Sequence, residues 1–339
     1  MNRRPMTLLI VLAACVVVGV VAHVAIGSSI WYSAASIVGE ILRGPQGESG
    51  SVENGIVWDT RLPRALAAVL VGGILGLVGS AFQAQFRNPL AEPYVVGVSS
   101  GAALGGVVSL LLKLGEPFGT MGLGFVGGIL SLALVWGLAR RQGVVDVTTL
   151  LLAGVVVGAL LSALMSLGLL LGGENANQLL YWLMGHLHDV RWLHVGTLAI
   201  ALFVGGGLLL RESRRLNAIA MGEETAARLG VDVVRVRLVV LVVGTAMTAV
   251  AVGAVGIIGF LGLVAPHVAR RLLGVDWRWS LIGAGVIGAV LLTLADLLAM
   301  RGLNTIANTV GLEPPVGFVT AVLGAPSLLI LLRQGTRSI

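Results

Sequence analysis

Apolar runs of about 20 residues recur along nearly the whole chain, and that is the length a helix needs to cross the hydrocarbon core of a bilayer. They occupy roughly 6–30, 65–86, 94–112, 117–139, 147–172, 192–210 and 238–255, then a short stretch at 256–269, then 280–300 and 314–332. Proline and glycine clusters punctuate them, as at Asn88-Pro89, Glu92-Pro93, Glu116-Pro117 and Pro314-Pro315. Inside a bilayer every backbone N–H and C=O must find a partner within the protein. Runs of this length satisfy that condition as helices. The expected fold is therefore an all-α integral membrane protein with one domain over 1–339. Composition agrees: 57% of the 339 residues are hydrophobic and 11% charged, at a mean hydropathy of +0.98, where a soluble chain carries about 25% charged residues.

The formal net charge of +6 sits in the short connections, where basic residues act as orientation signals. The ambiguous stretch is 238–269, which reads either as one long helix or as two passes. Two passes give ten spans with both termini cytoplasmic and gather most of the 22 Lys and Arg residues on that side. One pass nearly evens the two faces. The positive-inside rule prefers ten spans, with a break around Gly253–Gly259. The basic residues then left outside are Arg43, Arg61, Arg64, Lys113, Arg191 and Arg301. The first run is too long for a signal-peptide core and is expected to stay as a helix. Aromatics make up only 5% and are not interleaved with basic residues, so no nucleic-acid partner is expected. Cys15 is the single cysteine, which excludes an intrachain disulfide and a cysteine metal site.

A phosphate-binding Walker loop needs Gly-Lys followed by Ser or Thr. The only lysine, Lys113, lies between Leu112 and Leu114. ATP hydrolysis therefore falls to another chain. No nucleophile and base converge in the pattern, so the chain is not expected to be an enzyme, to hold a metal or to bind a cofactor. An ion-coupled carrier would place charge inside its spans, and a bare metal-ion permease would place His or carboxylate clusters there. The runs hold little beyond His23 and Asp296, both expected to be structural anchors. Glycines at Gly72-Gly76, Gly101-Gly105 and Gly154-Gly158 have the small-xxx-small spacing of tightly packed membrane helices. Segment 173–191 reads as an external interfacial element, with Tyr181, Trp182 and Trp192 as belt aromatics and His186, His188 and His194 as surface histidines.

The longest polar stretch is 211–237. Leu216, Ile219, Ala220, Ala227 and Leu229 give it a partly amphipathic pattern. Gly222-Glu223-Glu224 can open a second short helix, with acidic groups at its favourable end. It is either a surface loop or a docking element for a cytoplasmic partner. Arg61, Arg64 and Arg301 run against the orientation rule. They either snorkel to lipid phosphates or form a basic rim for carboxylates on an arriving protein.

Specific strings then match a known family. They are Arg61-Leu-Pro-Arg64, Gly79-Ser-Ala-Phe-Gln83, Asn88-Pro-Leu-Ala-Glu-Pro93 and Gly97-Val-Ser-Ser-Gly-Ala102. Further on come Leu150-Leu-Leu-Ala-Gly154, Tyr181-Trp-Leu-Met-Gly185 and 221–230, then 256–267, Ala295-Asp296, Glu313-Pro-Pro-Val-Gly317 and Leu323-Gly-Ala-Pro326. In this order and spacing the chain resembles the permease subunits of ABC importers for iron-siderophore, haem and cobalamin.

The resemblance implies a homodimer in a bacterial cytoplasmic (inner) membrane, with its translocation path on the twofold axis. Two cytoplasmic ATP-binding subunits would carry the ATP and Mg, and an extracytoplasmic substrate-binding protein would deliver the cargo. The cargo would enter by ATP-driven alternating access, with siderophore the first expectation and haem and cobalamin open. Arg61, Arg64 and Arg301 match binding-protein docking positions. Leu216, Ala220, Met221, Gly222, Glu223, Glu224, Ala227, Leu229 and Gly230 match the ATPase-coupling helices at 216–230. Asn88 and Leu90 match a cytoplasmic gate loop, with Thr148 and Thr149 near a second one. Two departures suggest a modified outer rim: Arg301 lies five residues after Asp296 where the family usually has four, and extra residues, including 304–308, precede Glu313.

Overall fold

A computed structural model describes residues 4–26, 33–46, 50–94, 97–114, 118–141, 144–173, 176–307 and 313–335. In chain order the helices are α1 (Arg4–Ile26), α2 (Ala34–Arg43), α3 (Val52–Gly55), α4 (Leu62–Phe86), α5 (Val98–Leu111), α6 (Phe118–Ala139), α7 (Val147–Leu171) and α8 (Ala176–Leu183). Then come α9 (Trp192–Ile200), α10 (Gly206–Arg211), α11 (Ser213–Ala220), α12 (Glu223–Arg228), α13 (Val233–Val255), α14 (Leu261–Leu273), α15 (Trp277–Ala307) and α16 (Val316–Gly335). Wider π-type turns at Ile56–Arg61 and Ala201–Gly205 join α3 to α4 and α9 to α10. Arg140–Arg141 pairs antiparallel with Val144–Val145, a two-residue ribbon between α6 and α7.

Seven helical runs among the described residues are long and apolar enough to cross a membrane: Met6–Ile26, Val52–Phe86, Gly119–Ala139, Val147–Leu171, Trp192–Arg211, Val233–Val255 and Trp277–Arg301. Val98–Leu111 and Val316–Leu329 are shorter apolar helices. The stretch 238–269 resolves into two helices. α13 ends at Val255, and α14 begins at Leu261 after Phe260, whose φ of 68° is left-handed. A bulky residue in that conformation cannot continue a helix.

The bundle is organised around α4, which is buried on nearly all sides and packs against α15, α14 and α13. Glycine makes this possible. A Cβ on Gly72 would lie 2.9 Å from the Ala289 Cα, and one on Gly288 would lie 3.2 Å from the Gly76 Cα. Backbones this close exclude side chains, so contact comes from the helix surfaces themselves. Outward faces stay apolar, as at Val17 and Val18 on α1 and Val155 and Val156 on α7, each exposed.

The surface positions expected for His186, His194 and Trp182 need correcting: both histidines are buried. Trp182 is buried, packed so closely on Gly106 that a Cβ there would overlap its ring. The slot left by a missing side chain draws the indole into the protein. Tyr181 and Trp192 do remain exposed. Extra residues 304–307 continue α15, and Asn308 lies outside the described residues.

Candidate functional site

Functional groups gather at the two ends of the bundle. At the end where α4 begins, Arg64 on the first turn meets Asp296 on α15. Its Nε donates to Asp296 Oδ2 at 2.8 Å and its Nη2 to Oδ1 at 2.9 Å, a bidentate pair. Its Nη1 donates to Glu313 Oε2 at 2.8 Å. His23 of α1 completes the cluster, with Nε2 2.6 Å from Asp296 Oδ2. Four chain segments thus converge on one guanidinium and one carboxylate. Asp296 is 1% exposed and Arg64 7%.

The other two outer arginines turn to the end of α1. Arg61 Nη1 donates to the Val24 carbonyl at 2.8 Å, and Arg301 Nη2 to the Ile26 carbonyl at 3.0 Å. The last carbonyls of a helix lack intrahelical partners and carry partial negative charge, so cations suit them. The three arginines singled out from sequence therefore do come together. Arg61 and Arg64 face inward in this chain, while Arg301 is half-buried. Glu313 was not foreseen as a partner. The signal available was His23 and Asp296, two ionisable groups late in apolar runs, where such groups need partners.

Between the two ends, residues 87–94 lean on the break between α13 and α14. The Phe260 N–H donates to Glu92 Oε1 at 2.8 Å, and the Tyr94 hydroxyl donates to the Ile258 carbonyl at 2.5 Å. A carboxylate at a helix start answers an orphan N–H and the positive end of the helix dipole. Glu92→Ala is expected to lower stability by about 1–3 kcal/mol, the cost of an unanswered buried N–H, with Glu92→Gln retaining most of it. A thermal-unfolding series in detergent measures both. The gate candidates flank this region. Asn88 Oδ1 accepts from the Leu90 N–H at 2.9 Å, and Leu90 is exposed. Thr148 and Thr149 sit exposed on the first turn of α7, where Asp146 accepts from the Thr149 N–H at 2.8 Å.

Near the outer arginines, a cavity of about 470 Å³ opens beside Tyr181, His186, Arg191 and His194. The His186 ring, 3.1 Å from Asp189, holds that carboxyl below the usual carboxylate range. Among the described residues no cluster of His, Cys, Asp and Glu has the makings of a metal site.

At the opposite end α11 and α12 form a short hairpin turned at Met221–Gly222, where Gly222 has a φ of 121° that disfavours any side chain. Leu216, Ile219 and Ala226 are fully buried and anchor it. Glu223 pairs with Arg237 of α13 at 2.6 Å. Asn217 bonds Asp276 at 3.0 Å and accepts from the Trp277 N–H at 3.0 Å, which ties the hairpin to the start of α15. Met221 and Leu229 are left outward, 65% and 63% exposed, with Ala220, Glu224, Ala227 and Gly230 beside them. Of the nine residues singled out here, Leu216 faces the interior.

Residues 8–334 match the FecCD transport family. The chain belongs to that family. Relatives of this FecCD chain include the cobalamin import system permease BtuC of Halobacterium salinarum, 37% identical over 82% of this chain and 73% of that one. The Fe(3+)-citrate import system permease YfmD of Bacillus subtilis is 36% identical over 84% of each chain. A solved metal-chelate type ABC transporter in an inward-facing conformation superposes with a TM-score of 0.84 at 28% identity, covering 97% of this chain and 99% of that one. The FecCD chain is thus an all-α permease subunit of an ABC importer.

Proposed function

We propose that this permease works as a homodimer, passing an iron chelate, haem or cobalamin along the shared twofold axis by ATP-driven alternating access. Relatives named for cobalamin and Fe(3+)-citrate import and a likeness to a metal-chelate transporter support that cargo class. The ten-span arrangement, with both termini cytoplasmic, puts the α11–α12 hairpin inside and the Arg64 cluster outside. ATP and Mg belong to two cytoplasmic partner subunits.

The observation that carries the reading is the hairpin. Its inner face is locked to α13 and α15, while Met221 and Leu229 present bare apolar surface outward. Exposed apolar groups on a braced element mark a protein contact. A push on the hairpin passes directly into α13 and α15, and so toward the break at 256–260 and the loop residues 87–94 that touch it. Asn88 and Leu90 on that loop, and Thr148 and Thr149 on α7, form the inner gates.

Outside, the substrate-binding protein meets the end built by Arg61, Arg64 and Arg301. Glu313, with its side chain 14% exposed, is the outermost partner of Arg64. A carboxylate on the arriving protein would take its place. Removing that clamp frees the start of α16 and links docking to opening.

The test is a Met221→Arg, Leu229→Arg variant. Captured ATP-binding subunit is expected to fall about 10-fold or more, the effect of losing central interface anchors, at an unchanged melting midpoint. Wild-type coupling would remove the hairpin from the mechanism. Import by vesicles holding this permease without its ATPase would overturn the reading altogether.

A further inference from the structure

Where α10 ends and α13 and α15 begin, five arginines surround one cavity. Arg211, Arg214, Arg215, Arg235 and Arg278 line a space of about 660 Å³ whose floor includes Leu208, Leu210 and Val239. Glu212 is the one carboxylate lining it, and both of its oxygens accept from Arg215 Nη1 at 2.8 Å. Among the described residues the other four arginines make no salt bridge. Asp232 and Asp276, nearby at the starts of α13 and α15, spend an oxygen on the backbone N–H groups of Arg235 and Arg278. The cavity therefore faces its contents with a large excess of positive charge and many guanidinium donors, which match phosphate oxygens two at a time.

A second cavity adjoins the first, the two sharing Leu208 in their linings. It runs between the α9–α10 stretch and α13, has a volume of about 420 Å³, and is lined by Ile200, Val204, Val242, Val243 and Met247 among others. Its lining is apolar apart from Thr197. A basic chamber at the end of a membrane span, beside a greasy groove along that span, has the two-part chemistry of a lipid. Arginines that merely snorkel would reach any phosphate, and they would need neither walls nor an attached groove.

We propose that this pair of cavities is a binding site for an anionic phospholipid. The headgroup phosphate sits among Arg211, Arg214, Arg235 and Arg278, and an acyl chain lies against Val204, Leu208 and Val242. Basic pockets between membrane helices on the cytoplasmic side recognise such headgroups. The occupant would brace α10, α11, α13 and α15 at the root of the hairpin. The inference goes beyond the transport reading, and its test needs no transport.

Native mass spectrometry of the purified full-length permease, titrated with phosphatidylglycerol or phosphatidylcholine, reads the site. Saturable binding with roughly tenfold preference for the anionic lipid is expected. The Arg214→Ser, Arg235→Ser, Arg278→Ser variant should lose that preference, and Leu208→Trp should weaken binding with every arginine in place. Arg87→Ser with Arg140→Ser, also on the cytoplasmic side, should bind as wild type. Melting midpoints establish that the variants fold. Because the lipid titration on the unaltered protein stands alone, a variant that fails to fold does not shield the proposal. No preference in the wild type, wild-type binding by the triple variant, or equal loss in the Arg87 and Arg140 control overturns it. So does displacement of the lipid by millimolar inorganic phosphate, which marks a free-anion site. Exclusion of the lipid when the ATP-binding subunit is present would assign the cavity to that partner and also overturn it.

Discussion

Arg64→Met is expected to cost about 3–5 kcal/mol, the penalty for stripping one partner from a buried ion pair. Asp296 would keep only His23, at 1% exposure, with no water to replace the lost guanidinium. Arg64→Glu should be worse, since a third carboxylate would join Asp296 and Glu313 where one cation held both. Melting of the purified permease in detergent should show the Met variant far below wild type and little recoverable Glu variant. The double change Arg64→Met, Asp296→Leu should regain much of the loss, because apolar replacement of both partners removes the stranded charge. A Met variant that melts with the wild type would show that the cluster does not hold α1, α4, α15 and α16 together. The consequence for docking is direct. Charge reversal at Arg64 is expected to lose import through folding, so Arg301, half-buried and bonded to the Ile26 carbonyl, is the cleaner position for testing the proposed docking.

Much of this was legible in the chain because bilayer constraints are written locally. Each apolar run returns as a helical segment near its expected place. The break after α13 was visible in the charge balance and in the glycines from Gly253 to Gly259. The two short helices of 213–228 followed from an amphipathic pattern with a glycine at its centre. Pairings between distant segments were not legible. Arg64 and Asp296 stand 232 residues apart, and nothing in either neighbourhood names the other. His23 and Asp296 could be marked as needing partners, yet not as each other's. Exposure failed for a related reason. A basic residue outside a span reads as a rim charge, and only the fold reveals that the ends of α1 and α15 lie within reach of it. Trp182 was misplaced because a tryptophan near a span end usually sits at the interface, and the slot over Gly106 is a tertiary feature.

Gly76→Val should be a strongly damaging change at the crossing of α4 and α15. The glycine lies where α4 crosses α15, and a Cβ there would land on the Ala284 carbonyl oxygen, with the next backbone nitrogen, that of Gly285, 3.4 Å away. Backbone cannot rotate aside as a side chain can, so the helices must separate. Overpacking of this kind costs about 1–3 kcal/mol where neighbours can adjust. Here the upper end or more is expected, because Gly72 and Gly288 share the same crossing and would move with it. Separation also draws Asp296 of α15 away from Arg64 of α4, so the steric and ionic losses compound. Gly137→Ala is the matched control, with open space where its Cβ would stand. Gly137 lies in the last turn of α6, and there that change should be neutral or stabilise by no more than about 0.5–1 kcal/mol, the mid-helix value. Side-by-side melting of the two variants decides the matter. A Gly76→Val permease as stable as the control would mean that α4 and α15 do not approach this closely, and the placement of Asp296 against Arg64 would lose its foundation.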